Sequence, residues 1–266
     1  MKITFIGGGV MGEAMLSAIL EKGLSRPQAI SVSDIDETRL KYLEQKYGVA
    51  AISNNRLAAD KSDVVVLAIK PQNLVQVMAE LSGHLKPTQL VLSIIAGARI
   101  KTLCLGLNHN SVVRAMPNTP AQIGEGISMW TGATEVTEQQ KGRAGSILGT
   151  MGKEIYVDDE KYIDMATAVS GSGPAYIFLF VESLIDAAVA IGLPRDMAKE
   201  LVLQTVLGSE HFIQKSGKPL AELRRMVTSP GGTTEAALHK LAEKGFSSLI
   251  LQAVIAAYNR AQELGS

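Results

Sequence analysis

The chain predicts an α/β half followed by an all-α half. Three observations carry this. Apolar runs of strand length alternate with amphipathic stretches as far as residue 157, nearly every segment after Asp164 has helical periodicity, and the pattern changes once, near residue 160. The sequence therefore divides into residues 1–160 and 161–266.

The elements follow in order. Residues 2–6 are a short apolar strand. Residues 13–22 are a helix with Leu16, Ile19 and Leu20 at helical spacing, and Gly23 closes it as a C-cap. Residues 29–33 form a second strand, and 37–47 a charged helix with Leu40, Leu43 and Tyr47 on one stripe. A brief strand at 49–52 comes next. Residues 64–69 are apolar without alternation, as a strand covered on both faces requires. The series continues with a helix at 73–81, a buried strand at 90–95, a helix at 100–107, a strand at 111–116, a helix at 138–151 and a strand at 153–157. Such alternation predicts a mostly parallel sheet with right-handed crossovers. The second half reads as helices at 175–191, 195–215, 219–227, 233–244 and 246–264, with Pro194 suited to a first turn.

Two of these helices are unusually apolar. In 246–264, Ile250, Val254, Ala257, Ala261 and Leu264 form one stripe, and Leu251, Ile255 and Tyr258 a second. The 175–191 helix is polar only at Tyr176, Glu182, Ser183 and Asp186. A helix apolar nearly all round must be buried nearly all round. A domain of about 100 residues has little interior for two of them. Burial against a second copy of the chain resolves this, and an interlocked homodimer is expected.

Composition narrows the function classes. With 46% hydrophobic residues in 266, the chain can bury a core, which excludes general disorder. Lys plus Arg and Asp plus Glu are 26 each, and there are only five Phe, six Tyr and one Trp, so nucleic acid is not an expected partner. The single cysteine, Cys104, excludes an intrachain disulfide and reads as core. Four scattered histidines predict no metal site. His109 is expected on the surface, and the charges at 158–161 in a solvated linker. No secretory h-region opens the chain, and Glu182 and Asp186 interrupt the longest apolar stretch, so a cytoplasmic protein without a membrane span is expected.

Gly7-Gly8-Gly9-Val10-Met11-Gly12 fits G-x-G-x-x-G between a strand and a helix. Gly7 allows the tight turn, Gly9 the approach of a pyrophosphate, and Gly12 close helix–sheet packing, while the helix start offers free amides. The first domain therefore reads as a Rossmann dinucleotide-binding domain. Asp34 lies about 20 residues beyond Gly12, the place of the carboxylate that accepts from the adenosine ribose. A carboxylate there favours NADH and repels a 2′-phosphate. Asp34 competes with Asp36 for the N-cap of the 37–47 helix. Asn55 is a further candidate for the cofactor site, and Ala68-Ile69-Lys70-Pro71 and Ala96-Gly97, at strand ends, fall on the carboxyl edge where open α/β sheets bind ligands. Lys70 suits an anionic substrate group or the nicotinamide pocket. Asn118, between Pro117 and Pro120, offers an amide to the same region.

Two later segments are more specific: Ser170-Gly171-Ser172-Gly173-Pro174-Ala175-Tyr176 and Ser229-Pro230-Gly231-Gly232-Thr233-Thr234. With the Gly7 turn and the segment from Ala115 to Pro120, they make the chain resemble the pyrroline-5-carboxylate reductase family over essentially its whole length. The resemblance implies NAD(P)H-dependent reduction of the cyclic imine (S)-1-pyrroline-5-carboxylate to L-proline, the last step of proline biosynthesis. It implies NADPH as the usual cofactor, where Asp34 favours NADH. It makes Thr233 and Thr234 substrate contacts, with the Thr234 hydroxyl on the ring nitrogen as the catalytic group. Gly231 and Gly232 would serve the substrate carboxylate, and Lys70 and Ser172 complete the substrate site. Simple N-capping is the alternative role for the threonine pair. It also implies a homodimer through the C-terminal helices, open to assembly into a larger ring. A β-hydroxyacid dehydrogenase shares the N-terminal glycines but needs a lysine that Ser170 to Tyr176 lacks. A nucleotide-sensing regulatory protein is the non-enzyme alternative.

Overall fold

The computed structural model describes residues 1–265. The first half runs β1 (Ile3–Ile6), α1 (Val10–Glu21), β2 (Ile30–Ser33), α2 (Glu37–Tyr47), β3 (Ala50–Ala51), α3 (Asn55–Ala59), β4 (Val64–Leu67), α4 (Leu74–Leu81), β5 (Leu90–Ser93) and α5 (Ile100–Leu107). It continues through β6 (Val112–Met116), β7 (Gly126–Gly132), α6 (Glu138–Gly149) and β8 (Gly152–Tyr156). One sheet of eight strands results, in the order β3-β2-β1-β4-β5-β6-β7-β8. Strands β1 to β6 are parallel, and β7 runs antiparallel to β6 and parallel to β8. The chain winds outward from β1 to β3, then returns to place β4 on the other side of β1. That reversal opens a crevice at the carboxyl ends of β1 and β4.

Each face of the sheet carries its own core. Phe5, Met15, Leu16, Ile19, Val32 and Leu43 pack on one side, and Ile6, Val65, Leu67, Leu81 and Leu103 on the other. All four residues of β4 are fully buried, in keeping with their unbroken apolar run.

The rest of the chain is α7 (Lys161–Ala166), a π-helical turn at Thr167–Gly171, α8 (Gly173–Ala190), α9 (Arg195–Ser216), α10 (Leu220–Met226), α11 (Thr233–Glu243) and α12 (Phe246–Leu264). Contacts divide the chain into two compact units: Met1–Ser172 with the chain from Ala257 on, and Gly173–Ala256. Within the second, no residue of α8 is buried, and Phe178 and Leu179 are each 64% exposed. The helical run Lys161–Ala190 is long and apolar enough to cross a bilayer, by length and composition alone.

Four expectations need correction. The strand at 49–52 is only Ala50–Ala51. His109 is buried: Asn108 takes a left-handed φ of 50° at the end of α5 and turns His109 inward, where Nε2 lies 2.9 Å from the Gln89 carbonyl oxygen. Burial, opposed by that hydrogen bond, pushes its imidazole below the usual histidine range. Cys104 is half-buried on α5 rather than in the core, and burial raises its thiol. Glu160 does not belong to a solvated linker. It accepts from Arg114 Nη1 at 2.9 Å and from the Ile100 amide, while Arg114 Nη2 donates to Asp164 at 2.6 Å. Arg114 is 1% exposed, so β6 and α7 are joined by a buried ion pair.

Candidate functional site

The glycine turn is built by contact rather than by flexibility alone. Gly7 follows β1 with φ +101°, and a Cβ there would lie 2.6 Å from the Ala68 carbonyl oxygen. A Cβ on Gly12 would meet the Gly7 carbonyl at the same distance. Gly9 differs: among the described residues nothing lies within 4 Å of where its Cβ would be. It is also the N-cap of α1, with no side chain bonded to the helix start. The first amides of α1 are thus left without a capping side chain, which suits an anion.

This turn opens on a cavity of about 650 Å³, within the span of small-molecule sites. Gly7, Gly9 and Val10 line it from the turn, and Asp34 and Asn55 from the β2 side. Ala68, Ile69 and Lys70 follow β4 on the opposite wall. Those eight predicted residues are brought together here. Gly8, Met11, Gly12 and Pro71 neighbour them in the chain without lining the cavity. Ala96, Gly97 and Asn118 also lie off it. Gly97 is filled against the Leu264 backbone, and Asn118 Oδ1 accepts from the Ile127 amide at 2.9 Å, fixing the turn into β7.

Each carboxylate oxygen of Asp34 accepts from one backbone amide. Its Oδ2 accepts from the Gly8 amide at 2.7 Å and its Oδ1 from the Asp36 amide at 3.0 Å. Asp36, and not Asp34, caps α2, accepting from the amides of Thr38 and Arg39. A carboxylate oxygen accepts more than one hydrogen bond, so Asp34 keeps capacity for a ribose hydroxyl. Asn55 bridges the wall: its Oδ1 accepts from Ser33 Oγ and its Nδ2 donates to Glu80, each at 2.7 Å.

Sequence reasoning missed Arg39 as a cavity residue. It lies on α2, but its guanidinium reaches back so that Nε donates to the Gly8 carbonyl at 2.5 Å and Nη2 to Glu13. Only the spacing from Asp34 signalled it. Glu13, on the first turn of α1, also accepts from Tyr42, Lys46 and Tyr47. Burial works against its charge, but hydrogen bonds from Lys46, Tyr47 and Arg39 outweigh it and bring its carboxyl down to about 2.

In the helical unit, Gly231 takes φ +71° and donates its amide to Glu235, and the Gly232 amide donates to the Ser229 carbonyl. Both glycine amides are spent within the turn. Gly232 is the N-cap of α11, without a capping side chain. Thr233 and Thr234 are its first two residues, so neither threonine is the cap. In the sheet unit, the Ser172 amide closes the π-helical turn on Thr167. Beside it Gly171 packs on Met116 at the end of β6, where a Cβ would lie 2.8 Å from the methionine methyl.

Residues 160–264 match the model described as pyrroline-5-carboxylate reductase dimerisation, and residues 2–97 the model described as NADP oxidoreductase, coenzyme F420-dependent. A pyrroline-5-carboxylate reductase of Synechocystis sp. is 41% identical over 265 residues, covering 100% of this chain and 98% of the relative. The chain belongs to the pyrroline-5-carboxylate reductase family. Among solved structures of the family, the Coxiella burnetii reductase is 38% identical with a TM-score of 0.89. The Plasmodium falciparum reductase, solved with NADP bound, is 33% identical with a TM-score of 0.91. Each alignment covers 100% of this chain and 98% of the other. The fold is thus a Rossmann-like N-terminal part followed by an all-helical dimerisation domain, and the family uses NAD(P)H.

Proposed function

We propose that the chain is a pyrroline-5-carboxylate reductase, reducing (S)-1-pyrroline-5-carboxylate to L-proline with NAD(P)H as the last step of proline biosynthesis. The observation that carries this is the open face of Gly9 beside uncapped α1 amides, over a cavity large enough for part of a dinucleotide. A bound NAD(P)H supplies a hydride from the nicotinamide to the imine carbon, in a site that orients the two and excludes water.

The chain's own residues do the rest. The amides that follow Gly9 hold the pyrophosphate, with Gly8, Val10, Met11 and Gly12 shaping the turn. Asp34 accepts from a ribose hydroxyl. Asn55 and the segment from Ala68 to Pro71 form the wall of the nucleotide site, while Ala96, Gly97 and Asn118 support the nicotinamide end. The amides of Thr233 and Thr234 hold the substrate carboxylate, because those of Gly231 and Gly232 are spent in their turn. The Thr234 hydroxyl bonds the ring nitrogen and relays its proton. Lys70 and Ser172 complete the substrate site. On this division residues 1–160 form the cofactor-binding domain, which also contributes Lys70, and 161–266 the substrate-binding and dimerisation domain. The partner of the exposed α8 face is then a second copy of the chain, in a homodimer that can build a larger ring in the cytoplasm.

Oxidation of NAD(P)H on adding pyrroline-5-carboxylate tests this. Wild type should turn over, and Thr234→Ala should lose about a hundredfold in kcat/KM. Unchanged kinetics in the variant would remove the role of the hydroxyl, and no turnover by wild type would remove the reading.

A further inference from the structure

Resting on the dinucleotide reading above, we propose that Glu13 is a positioning residue that sets the choice between NADH and NADPH by holding Arg39. The two cofactors differ by a 2′-phosphate on the adenosine ribose. Asp34, the residue placed to meet that ribose, grips the Gly8 amide, and Arg39 grips the Gly8 carbonyl. Carboxylate and guanidinium therefore stand on the two sides of a single residue. Among the described residues lining the cavity, the cations are Arg39 and Lys70, and Lys70 follows β4 on the far side of β1. Arg39 is the counter-charge within reach of a 2′-phosphate.

That counter-charge is already used. The Arg39 guanidinium pairs with Glu13, whose side chain is only 17% exposed and receives three further donors from α2. The start of α2 cannot substitute, because Asp36 occupies its Thr38 and Arg39 amides and adds a negative charge. A 2′-phosphate would meet Asp34 and Asp36 with its one nearby cation held by Glu13, so the site as built favours NADH. Removing the Glu13 charge while keeping its shape releases the guanidinium to the cavity. This preference lies in a contact between α1 and α2, outside the ribose carboxylate itself.

The test is fluorescence titration of the full-length protein with NADH and, separately, NADPH. Wild type should bind NADH more tightly. Glu13→Gln should move the ratio of the two dissociation constants toward NADPH by about tenfold, the size of one charge-assisted contact. Adding Arg39→Met to Glu13→Gln should return the ratio toward wild type, an outcome that a structural defect in α1 would not produce. Circular dichroism confirms that each variant is folded. Should Glu13→Gln be unfolded, Arg39→Met alone decides: a ratio close to wild type is expected, since the guanidinium is already held. A wild type that prefers NADPH, or a ratio that Glu13→Gln leaves unmoved while both nucleotides bind, overturns the proposal and spares the dinucleotide site. Failure of wild type to bind either nucleotide overturns both.

Discussion

In the sheet unit, every residue of β1, β4 and β5 is buried by the chain itself, whereas in the helical unit no residue of α8 is. Ile177, Phe178, Leu179 and Phe180 stand exposed in a row. Covering such a side chain is worth about 1.5–3 kcal/mol. One half of the molecule thus completes its core within a single chain, and the other leaves a large apolar face to be covered. Membership in a family with a dimerisation domain fits the second half. Stability of the first should then be independent of protein concentration, and that of the second should depend on it.

Substitution on the exposed face should separate the halves most strongly. Phe178→Asp should weaken self-association at least about a thousandfold, because a charge would be buried without a partner. Sedimentation reads this, and an unchanged assembly would place the contact elsewhere. Within the sheet unit, Arg114→Met strands the Asp164 carboxylate and should cost about 3–5 kcal/mol in urea unfolding, equally at all protein concentrations. Smaller effects should come from the glycine turn. Gly12→Ala forces a Cβ onto the Gly7 carbonyl and should lose about 1–3 kcal/mol. Gly9→Ala meets open space, so it should keep its melting temperature and lose nucleotide affinity instead. If the two glycines behave alike, Gly9 does not face the cofactor.

The smallest effect is on pH dependence. The Glu13 carboxyl falls from its ordinary 4.5 to about 2 in the folded chain. The unfolded chain therefore takes up a proton first as pH drops. The stability Glu13 contributes is complete above 4.5 and is lost as pH falls through about 2. Acid titration of stability should show this slope for wild type and a flatter one for Glu13→Gln.

Much of the sheet unit was legible because its signals are local. The apolar runs of β1, β4 and β5 and the spacing of the Gly7 turn are read within a few residues. β7 escaped because its buried positions include Ser128 and Thr131, so no apolar alternation marks it. α7 escaped because it is short and its buried face, Ile163, Asp164 and Ala166, includes a carboxylate whose partner, Arg114, lies fifty positions earlier. The site divides in the same way. Asp34 was visible by distance from the glycines, but the Glu13–Arg39 contact spans 26 positions and two helices, and no period encodes it. The apolar surplus of α8 was plain in the sequence because a helix without a polar face announces a missing partner.

The most direct measurement follows the hydride itself. NADH carrying deuterium on the transferred position of nicotinamide C4, incubated with pyrroline-5-carboxylate and this protein, should give L-proline with one deuterium on the ring carbon that bonds nitrogen and lies away from the carboxylate. Proline free of deuterium, or no proline at all, would contradict the account.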